Sequence, residues 1–424
     1  MAYRILEWMN RKVRGAGFHL LVFLSACAII IARRPDAIFH AQFFAEDGHV
    51  WFADAYNLGW VAAMFRSQDG YFQTLPRVAA ALALLAPIGA APLAMNAAAL
   101  LVQALPANLL LSDRLADWGS LRFRAALALV FLALPNSREL SLTIEEGQWY
   151  LALTACLLVL ASAPKRAVWR IFDAVVFLLC GLTGPFCLLL LPVAAVFLWM
   201  RRERWRWMPM GILAVTAAAQ LSALLFTDAA GRGHGAALGA TPQLFVRILA
   251  GQVYLGALIG ANMLSVQAGL PFLLLAAAGG TAVVALVWVP ARAEVRLFLV
   301  FAALVFAASL WSPFTGPDNG YSRWLVLALN PGVRYWFFPT LAFAWSVLAL
   351  ARMAKMPARN RGMRIVSAGL VLLMCCGVLK DFRNPPMPDF HFSRFAAEVE
   401  EAAPGTVLTI PLNPPGWSMT LIKR

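Results

Sequence analysis

Charged residues are scarce in this chain: only 13% of its 424 residues are Asp, Glu, Lys or Arg, whereas 61% are hydrophobic. A chain with so little polar surface cannot be water-soluble. Its six cysteines all fall inside apolar runs, so the sequence predicts neither a disulfide framework nor a cysteine metal cluster. No metal-ligand spacing occurs among the scattered histidines His40, His49, His234 and His391.

A phosphate-binding P-loop is also missing from the sequence. The Gly-rich stretch 229–239 lacks the Gly-Lys-Ser/Thr ending of that motif and predicts only a flexible loop. The net charge of +14 would suit a nucleic-acid partner only if the basic residues formed one patch. They cluster instead in short linkers between apolar runs, so no nucleic-acid partner is expected. These linkers are 4–14, 114–124, 165–170, 201–206, 292–296 and 352–364.

The positive-inside rule makes those basic linkers cytoplasmic. The apolar runs then predict an all-α, polytopic transmembrane protein with about 11 spans, within a range of about 9 to 13. Residues 16–32 follow a basic N-terminus and precede no clear cleavage site, so they predict a retained signal-anchor span. The N-terminus is then cytoplasmic and the C-terminus outside. Membrane lipids are the expected surroundings, and the bacterial inner membrane is the expected location.

Two segments do not fit a simple count of spans. The run 78–111 contains Pro87 and Pro92, and the charge pattern puts its ends on opposite sides, which favours one span plus a proline-broken re-entrant or interfacial piece. Residues 243–262 contain Arg247, which favours a helix lying in the membrane interface.

The predicted organisation is one transmembrane domain, residues 1–379, followed by a short outside tail, residues 380–424. Three outer loops leave the transmembrane domain: the first loop is 34–77, the second is 136–148 and the third is 312–335. The tail is too small for a core of its own. It predicts a short helix near 393–401 and a short strand at 406–412.

Two adjacent carboxylates, Glu46 and Asp47, lie just beyond the first apolar span. Ionisable groups near hydrocarbon are costly unless they are solvated, paired or used, so this pair is a candidate catalytic site. The alternatives are a solvated loop turning at Gly48 and a capping or turn carboxylate. Since ATP is not expected on the outer face, chemistry there must use an activated donor already in the membrane, such as a polyprenyl-phosphate sugar. A carboxylate would take the acceptor proton.

Three arginines at span ends, Arg77, Arg323 and Arg334, are candidates for a bidentate clamp on the donor phosphate. The alternative is that they are anchors whose charged heads reach the membrane surface. Glu145 and Glu146 could bind a divalent metal, Mg²⁺ or Mn²⁺, together with Asp47. No spacing among these acids is diagnostic, so the sequence leaves the cofactor undetermined.

Five short motifs accompany the first span and the multispan body. They are the acidic pair 46–47, Tyr-Phe-Gln-Thr-Leu-Pro-Arg at 71–77, Gly-Gln-Trp-Tyr at 147–150, Thr-Gly-Pro-Phe at 183–186 and Arg-Tyr at 334–335. With these motifs the chain resembles the GT-C superfamily of integral-membrane glycosyltransferases over most of residues 1–350. The small C-terminal outer region departs from the better-defined subfamilies of that superfamily.

The resemblance implies that the first outer loop supplies the catalytic carboxylate, a role that falls on Asp47 or Glu46. It also implies substrate and phosphate binding by Arg77, Arg323, Arg334, Tyr335 and Gln148. The expected function is inverting transfer of a sugar from a polyprenyl-phosphate donor to a glycan, lipid or protein acceptor in the cell envelope. The alternatives are a lipid-linked oligosaccharide flippase or other transporter, a surface-polysaccharide polymerase or ligase, and a non-catalytic assembly subunit.

Overall fold

The computed structural model describes residues 15–227, 236–315, 320–354 and 361–424, and its fold is mostly helical. The basic linker 4–14, most of the Gly-rich stretch 229–239 and the middle of the linker 352–364 lie outside the described residues. In the described part, eight helical segments are long and apolar enough to cross a membrane: Ala16–Arg33, Ile88–Leu111, Arg204–Phe226, Pro242–Ile259, Leu270–Trp288, Ala293–Trp311, Arg334–Ala354 and Arg361–Asp381. The prediction of a helical membrane protein is confirmed, whereas the number of spans and their orientation stay predictions.

Shorter elements complete the body. Three further apolar helices are Thr74–Ala83, Gly147–Val159 and Phe186–Arg201. Two other helices of the body are Leu121–Leu132 and Ala167–Gly181. The connections contain the short helical pieces Asp36–Phe39, Asp47–Phe52, Ala53–Leu58, Trp60–Met64, Asp113–Trp118, Arg138–Leu140, Leu264–Gln267 and Arg323–Leu329.

The helix Gly147–Val159 is the centre of the body, because all 13 of its residues are buried. Its sequence, Gly-Gln-Trp-Tyr-Leu-Ala-Leu-Thr-Ala-Cys-Leu-Leu-Val, is apolar on almost every face, as a helix surrounded by other helices requires. At 1.5 Å per residue it is only about 20 Å long, shorter than the hydrocarbon core of a bilayer. Its N-terminal turn therefore ends inside the protein and presents Gln148 and Trp149 to a central cavity.

The charge pattern predicts that the basic linkers lie at one end of the molecule and that the three outer loops and the tail lie at the other. At one end the basic linkers contact each other: Arg114 forms a bidentate ion pair with Asp173, at 2.7 Å for each nitrogen, and Arg292 pairs with Asp117 at 2.8 Å. At the other end the three predicted outer loops and the tail pack together, as the contacts described below show. The grouping agrees with the prediction, and the side of the membrane on which each end lies stays a prediction.

Both segments that disturbed the span count are helical. The run 78–111 breaks after Ala83 and resumes at Ile88, because Pro87 cannot continue the first helix. Residues 242–259 form a helical segment of 18 residues with the length and hydropathy of a span. Its charge is satisfied within the protein, since the Arg247 guanidinium donates to the carbonyl oxygens of Ser265 and Ala268. The predicted interfacial position is therefore not required.

The tail contains the predicted helix and strand, at Phe392–Glu401 and Val407–Leu412, and a second strand, Trp417–Ile422, that was not predicted. The two strands pair antiparallel, and alternate side chains point inward, so Ile410, Leu412, Met419 and Leu421 are buried. This hairpin is an exception to the all-α prediction. It has no separate core, because the tail packs on the first loop: Phe43 lies 5.1 Å from Phe392 between ring centroids, and Phe44 bridges to Asn413.

We expect an introduced cysteine at exposed Thr406 to react with a membrane-impermeant maleimide on intact cells, because the charge pattern places the tail outside. A cysteine at exposed Ala163, beside the basic linker 165–170, should react only after permeabilisation. Labelling is measured in a background in which the exposed Cys375 and Cys376 are replaced by serine. The opposite labelling pattern would invert the topology and place the candidate site on the cytoplasmic side.

Candidate functional site

A cavity of about 440 Å³ opens among the first loop, the second loop, the central helix and the end of the third loop; we call it the central cavity. Its polar wall includes Glu46, Glu145, Gln148, Arg334 and Tyr335. Its apolar wall comes from three helices and includes Leu188, Leu189, Leu224, Val305 and Ala308. The five motifs noted in the sequence each contribute to this lining, although they are far apart along the chain.

Backbone pairing brings two of these motifs together. The amide of Thr74 donates to the carbonyl of Leu182, and the amide of Gly184 donates to the carbonyl of Phe72, at 2.9 and 3.0 Å. Gly184 has a φ of +71°, a conformation that favours glycine, and a side chain there would overlap Gln148. The turn 183–186 therefore packs directly against the Gln148 side chain, and its Pro185 and Phe186 line the cavity.

Aromatic rings form one side of the central cavity. The Trp149 ring lies 4.9 Å from Phe186 and 6.2 Å from Tyr335, measured between centroids and with near-perpendicular ring planes. The Tyr335 hydroxyl accepts a hydrogen bond from the Phe314 amide at 2.8 Å and donates to the Phe314 carbonyl at 3.1 Å. These contacts fix the orientation of Trp149 and Tyr335, so the cavity has a preformed aromatic side.

Asp47 does not line the central cavity. Its side chain is buried, with 1% of its surface exposed. Its Oδ1 accepts a hydrogen bond from the Glu145 amide at 2.9 Å and its Oδ2 accepts one from the Ile144 amide at 3.3 Å. Burial raises the pKa of Asp47 to about 7, and the two backbone hydrogen bonds oppose that shift. Both carboxylate oxygens thus bind the second loop and do not face the central cavity, whereas the role of Asp47 as the catalytic base stays a prediction.

Glu46 is the member of the acidic pair that lines the central cavity, opposite Glu145. Burial raises the pKa of Glu145 well above its usual range, and the negative charges of Glu46 and Glu146 raise it further. The raised pKa favours a protonated Glu145. Two carboxyl groups that line one cavity are a common arrangement for acid–base chemistry.

Arg334 lies among three carboxylates. Its Nη1 is 2.8 Å from Glu139 Oε1, 2.8 Å from Glu146 Oε1 and 3.6 Å from Glu145 Oε1. Its backbone amide also donates to Glu139 Oε2 at 2.8 Å. Burial raises the pKa of Glu146, and the charge of Arg334 opposes that shift. Arg334 therefore joins the second and third loops in addition to lining the cavity.

The other two predicted phosphate-binding arginines are not among the residues that line the cavity. Arg77 is buried, its Nη1 pairs with Asp54 at 3.2 Å, and its guanidinium lies 5.0 Å from the centre of the Trp51 ring. Arg323 begins a short helix of the third loop and donates to the carbonyl of Pro313 at 3.4 Å. Of the three predicted arginines, the structure brings only Arg334 to the site, together with Tyr335 and Gln148.

The predicted metal ligands do not form a metal site. The described residues contain no group of three or more acids, histidines or cysteines arranged to hold a metal ion. The oxygens of Asp47 are taken by backbone amides, and Glu146 faces Arg334, so Asp47, Glu145 and Glu146 do not converge on one point.

Glu139, Asp54 and Asp69 were not among the site residues that the sequence predicted. Glu139 binds Arg334 through both carboxylate oxygens. Asp54 pairs with Arg77 and with Arg66, and Asp69 lines the central cavity. Nothing in the spacing of these acids distinguishes them from solvated loop residues, because their partners lie on distant segments.

Comparison with known proteins identified no related protein. No family model matches the chain, and no curated protein gives a significant match. The residues of the central cavity and their geometry are therefore the basis for inferring a function.

Proposed function

We propose that this protein transfers a sugar from a polyprenyl-phosphate donor to an acceptor at the outer face of the bacterial inner membrane, as an enzyme of the GT-C type. The observation that supports this most is the convergence of five sequence motifs on one cavity. Residues 46, 71, 73, 148, 149, 185, 186, 334 and 335 all line it. Membrane crossing alone would not require these motifs to lie around one cavity.

The two walls of the central cavity suit the two parts of such a donor. Leu188, Leu189 and Leu224 belong to its apolar wall, which would take the first isoprene units of the prenyl chain. Glu46, Gln148 and the aromatic side would face the sugar. Hydroxyl groups of sugars are bound by carboxylates and amides, and sugar rings pack on aromatic faces.

Arg334 would stabilise the negative charge that develops on the departing phosphate. Three carboxylates surround this cation, but burial raises the pKa of Glu145 and of Glu146 and so favours their neutral forms. With these two protonated, Glu139 alone balances Arg334, and a phosphate could share the guanidinium.

Glu46 would act as the general base. Its carboxylate takes the proton of the acceptor hydroxyl while the oxygen attacks the anomeric carbon of the sugar. The bond between that carbon and the phosphate oxygen breaks, and polyprenyl phosphate leaves with the electron pair. One displacement of this kind inverts the anomeric configuration. Asp47 is a positioning residue in this scheme, because its bonds to the amides of residues 144 and 145 hold the first loop against the second.

The donor can be tested with the purified protein in liposomes. We expect a polyprenyl-monophosphate hexose labelled in the sugar to be consumed in the presence of a cell-envelope extract, with release of polyprenyl phosphate. The matching polyprenyl-diphosphate hexose should not be consumed, and Glu46→Gln protein is the inactive control. Consumption of only the diphosphate donor would favour a polymerase or ligase. Movement of intact donor between leaflets would favour a flippase. Both of these results, consumption of only the diphosphate donor and movement of intact donor, would overturn the proposed reaction.

A further inference from the structure

A second cavity, of about 580 Å³, lies between the first, second and third loops and the tail; we call it the loop cavity. It is lined by residues of all four segments that the charge pattern placed outside, including Phe44, Arg138, Val333 and Asn384. Its volume falls in the range of small-molecule sites.

The lining of the loop cavity combines amide side chains with prolines and other apolar groups, and it carries few charges. Three amide side chains, Asn330, Asn384 and Asn413, contribute to it, together with prolines of the third loop and the tail. The Nδ2 groups of Asn384 and Asn413 donate to the carbonyl oxygens of Arg138 and Pro388. The exposed Asn330 is therefore the amide that offers both a donor and an acceptor to a polyhydroxylated ligand. The apolar rings of the prolines and of Phe44 provide surfaces for the CH faces of a sugar ring. This composition fits a saccharide better than a lipid chain.

One charged side chain of the loop cavity has no partner in the described part of the chain. Glu139 is bound by Arg334 through both carboxylate oxygens. The terminal nitrogens of Arg34 donate to the Ser141 carbonyl, at 2.5 Å, and to the Met387 sulfur, at 2.7 Å. In contrast, the Arg138 guanidinium makes no hydrogen bond or ion pair with any residue in the described part of the chain. The cavity therefore offers one positive charge to a ligand.

The two cavities share a wall. Glu139 lines the loop cavity, and Arg334, its partner at 2.8 Å, lines the central cavity. Phe44 and Glu46 line the loop cavity and the central cavity respectively, and residues two apart in a chain are separated by no more than about 7 Å. The loop cavity thus adjoins the segment that carries the proposed base.

We propose that the loop cavity binds the acceptor and that the acceptor is a saccharide carrying an acid group. The assignment of this ligand as the acceptor rests on the proposed transferase function, whereas the binding of an acidic saccharide does not depend on it. In this arrangement the donor occupies the central cavity, the acceptor occupies the loop cavity, and Arg138 binds the acid group.

The test uses purified full-length protein and two trisaccharides, acidic trigalacturonate and neutral maltotriose, with dissociation constants measured by calorimetry. We expect trigalacturonate to bind several-fold more tightly than maltotriose. Arg138→Ala should abolish that difference, and Asn330→Ala should weaken binding of both. Arg166→Ala, which removes an exposed arginine at the opposite end of the molecule, should change neither. Absence of binding, or equal affinity of wild-type protein and Arg138→Ala for trigalacturonate, would overturn the proposal.

Further measurements separate this proposal from the proposed function. Glu46→Gln should lose transfer but keep the wild-type affinity for trigalacturonate, because Glu46 faces the other cavity. If trigalacturonate instead competes with polyprenyl-phosphate hexose, it occupies the central cavity and the assignment of the loop cavity is wrong. If Arg138-dependent binding occurs without any sugar transfer, the saccharide site stands and the transferase function fails. Transfer without trigalacturonate binding would remove the loop-cavity proposal alone.

Discussion

Glu46→Gln is expected to reduce the rate of sugar transfer by roughly a hundredfold to ten-thousandfold, the range of a lost general base. The amide keeps the size of the side chain but cannot take the acceptor proton. Because Glu46 is half-buried and lines the central cavity, its replacement should leave the fold unchanged. Single-turnover rates with a labelled donor, together with the thermal unfolding temperature, would measure both effects.

Asp47→Asn is the matched control, since it makes the same chemical change at the adjacent position. Asp47 accepts hydrogen bonds from two backbone amides, and an Asn side chain has only one acceptor oxygen to replace both. We expect a loss of stability on the order of 1 to 3 kcal/mol, the cost of an unpaired buried group. A large loss of rate in Asp47→Asn at unchanged stability, with Glu46→Gln active, would return the base role to Asp47. Loss in both variants with recovery at high metal concentration would indicate a metal site.

Arg334→Ala is expected to destabilise the protein by about 3 to 5 kcal/mol, because it leaves the Glu139 carboxylate without its cation and Glu146 without its hydrogen-bond donor. Glu146 is 1% exposed and lies 2.8 Å from the arginine, so it loses its principal partner. The same substitution would also remove the charge that balances the departing phosphate. A fall in both unfolding temperature and turnover is therefore expected, whereas a phosphate clamp with no structural role would lower turnover alone.

A second substitution separates the two contributions of Arg334. Adding Glu139→Gln to Arg334→Ala removes the uncompensated carboxylate, so stability should recover in part while turnover stays low. Arg66→Ala is the control for a surface ion pair, since Arg66 is 56% exposed and pairs with Asp54 at 3.2 Å. It should cost no more than about 1 kcal/mol. An Arg334→Ala protein as stable as Arg66→Ala would refute the structural role given to Arg334.

The central cavity could be predicted in part from the sequence. Glu46, Gln148, Arg334 and Tyr335 were predicted and line it, whereas Asp47, Arg77 and Arg323 were predicted and do not. The difference does not lie in residue type. Arg77 and Arg334 both carry a guanidinium near the end of an apolar run, but Arg77 is buried against Trp51 and Asp54.

By itself, the sequence determined the class of this protein and the grouping of its segments, because hydropathy and charge act locally along the chain. Scarce charge and long apolar runs require a membrane, and the placement of the basic linkers groups the loops by end. The tertiary structure alone decided which of Glu46 and Asp47 faces the cavity, since successive helical residues point about 100° apart and only packing sets the rotation. It also decided the partners of Arg334, because Glu139 and Glu146 are 195 and 188 residues away in sequence, and no local pattern encodes a contact over that distance.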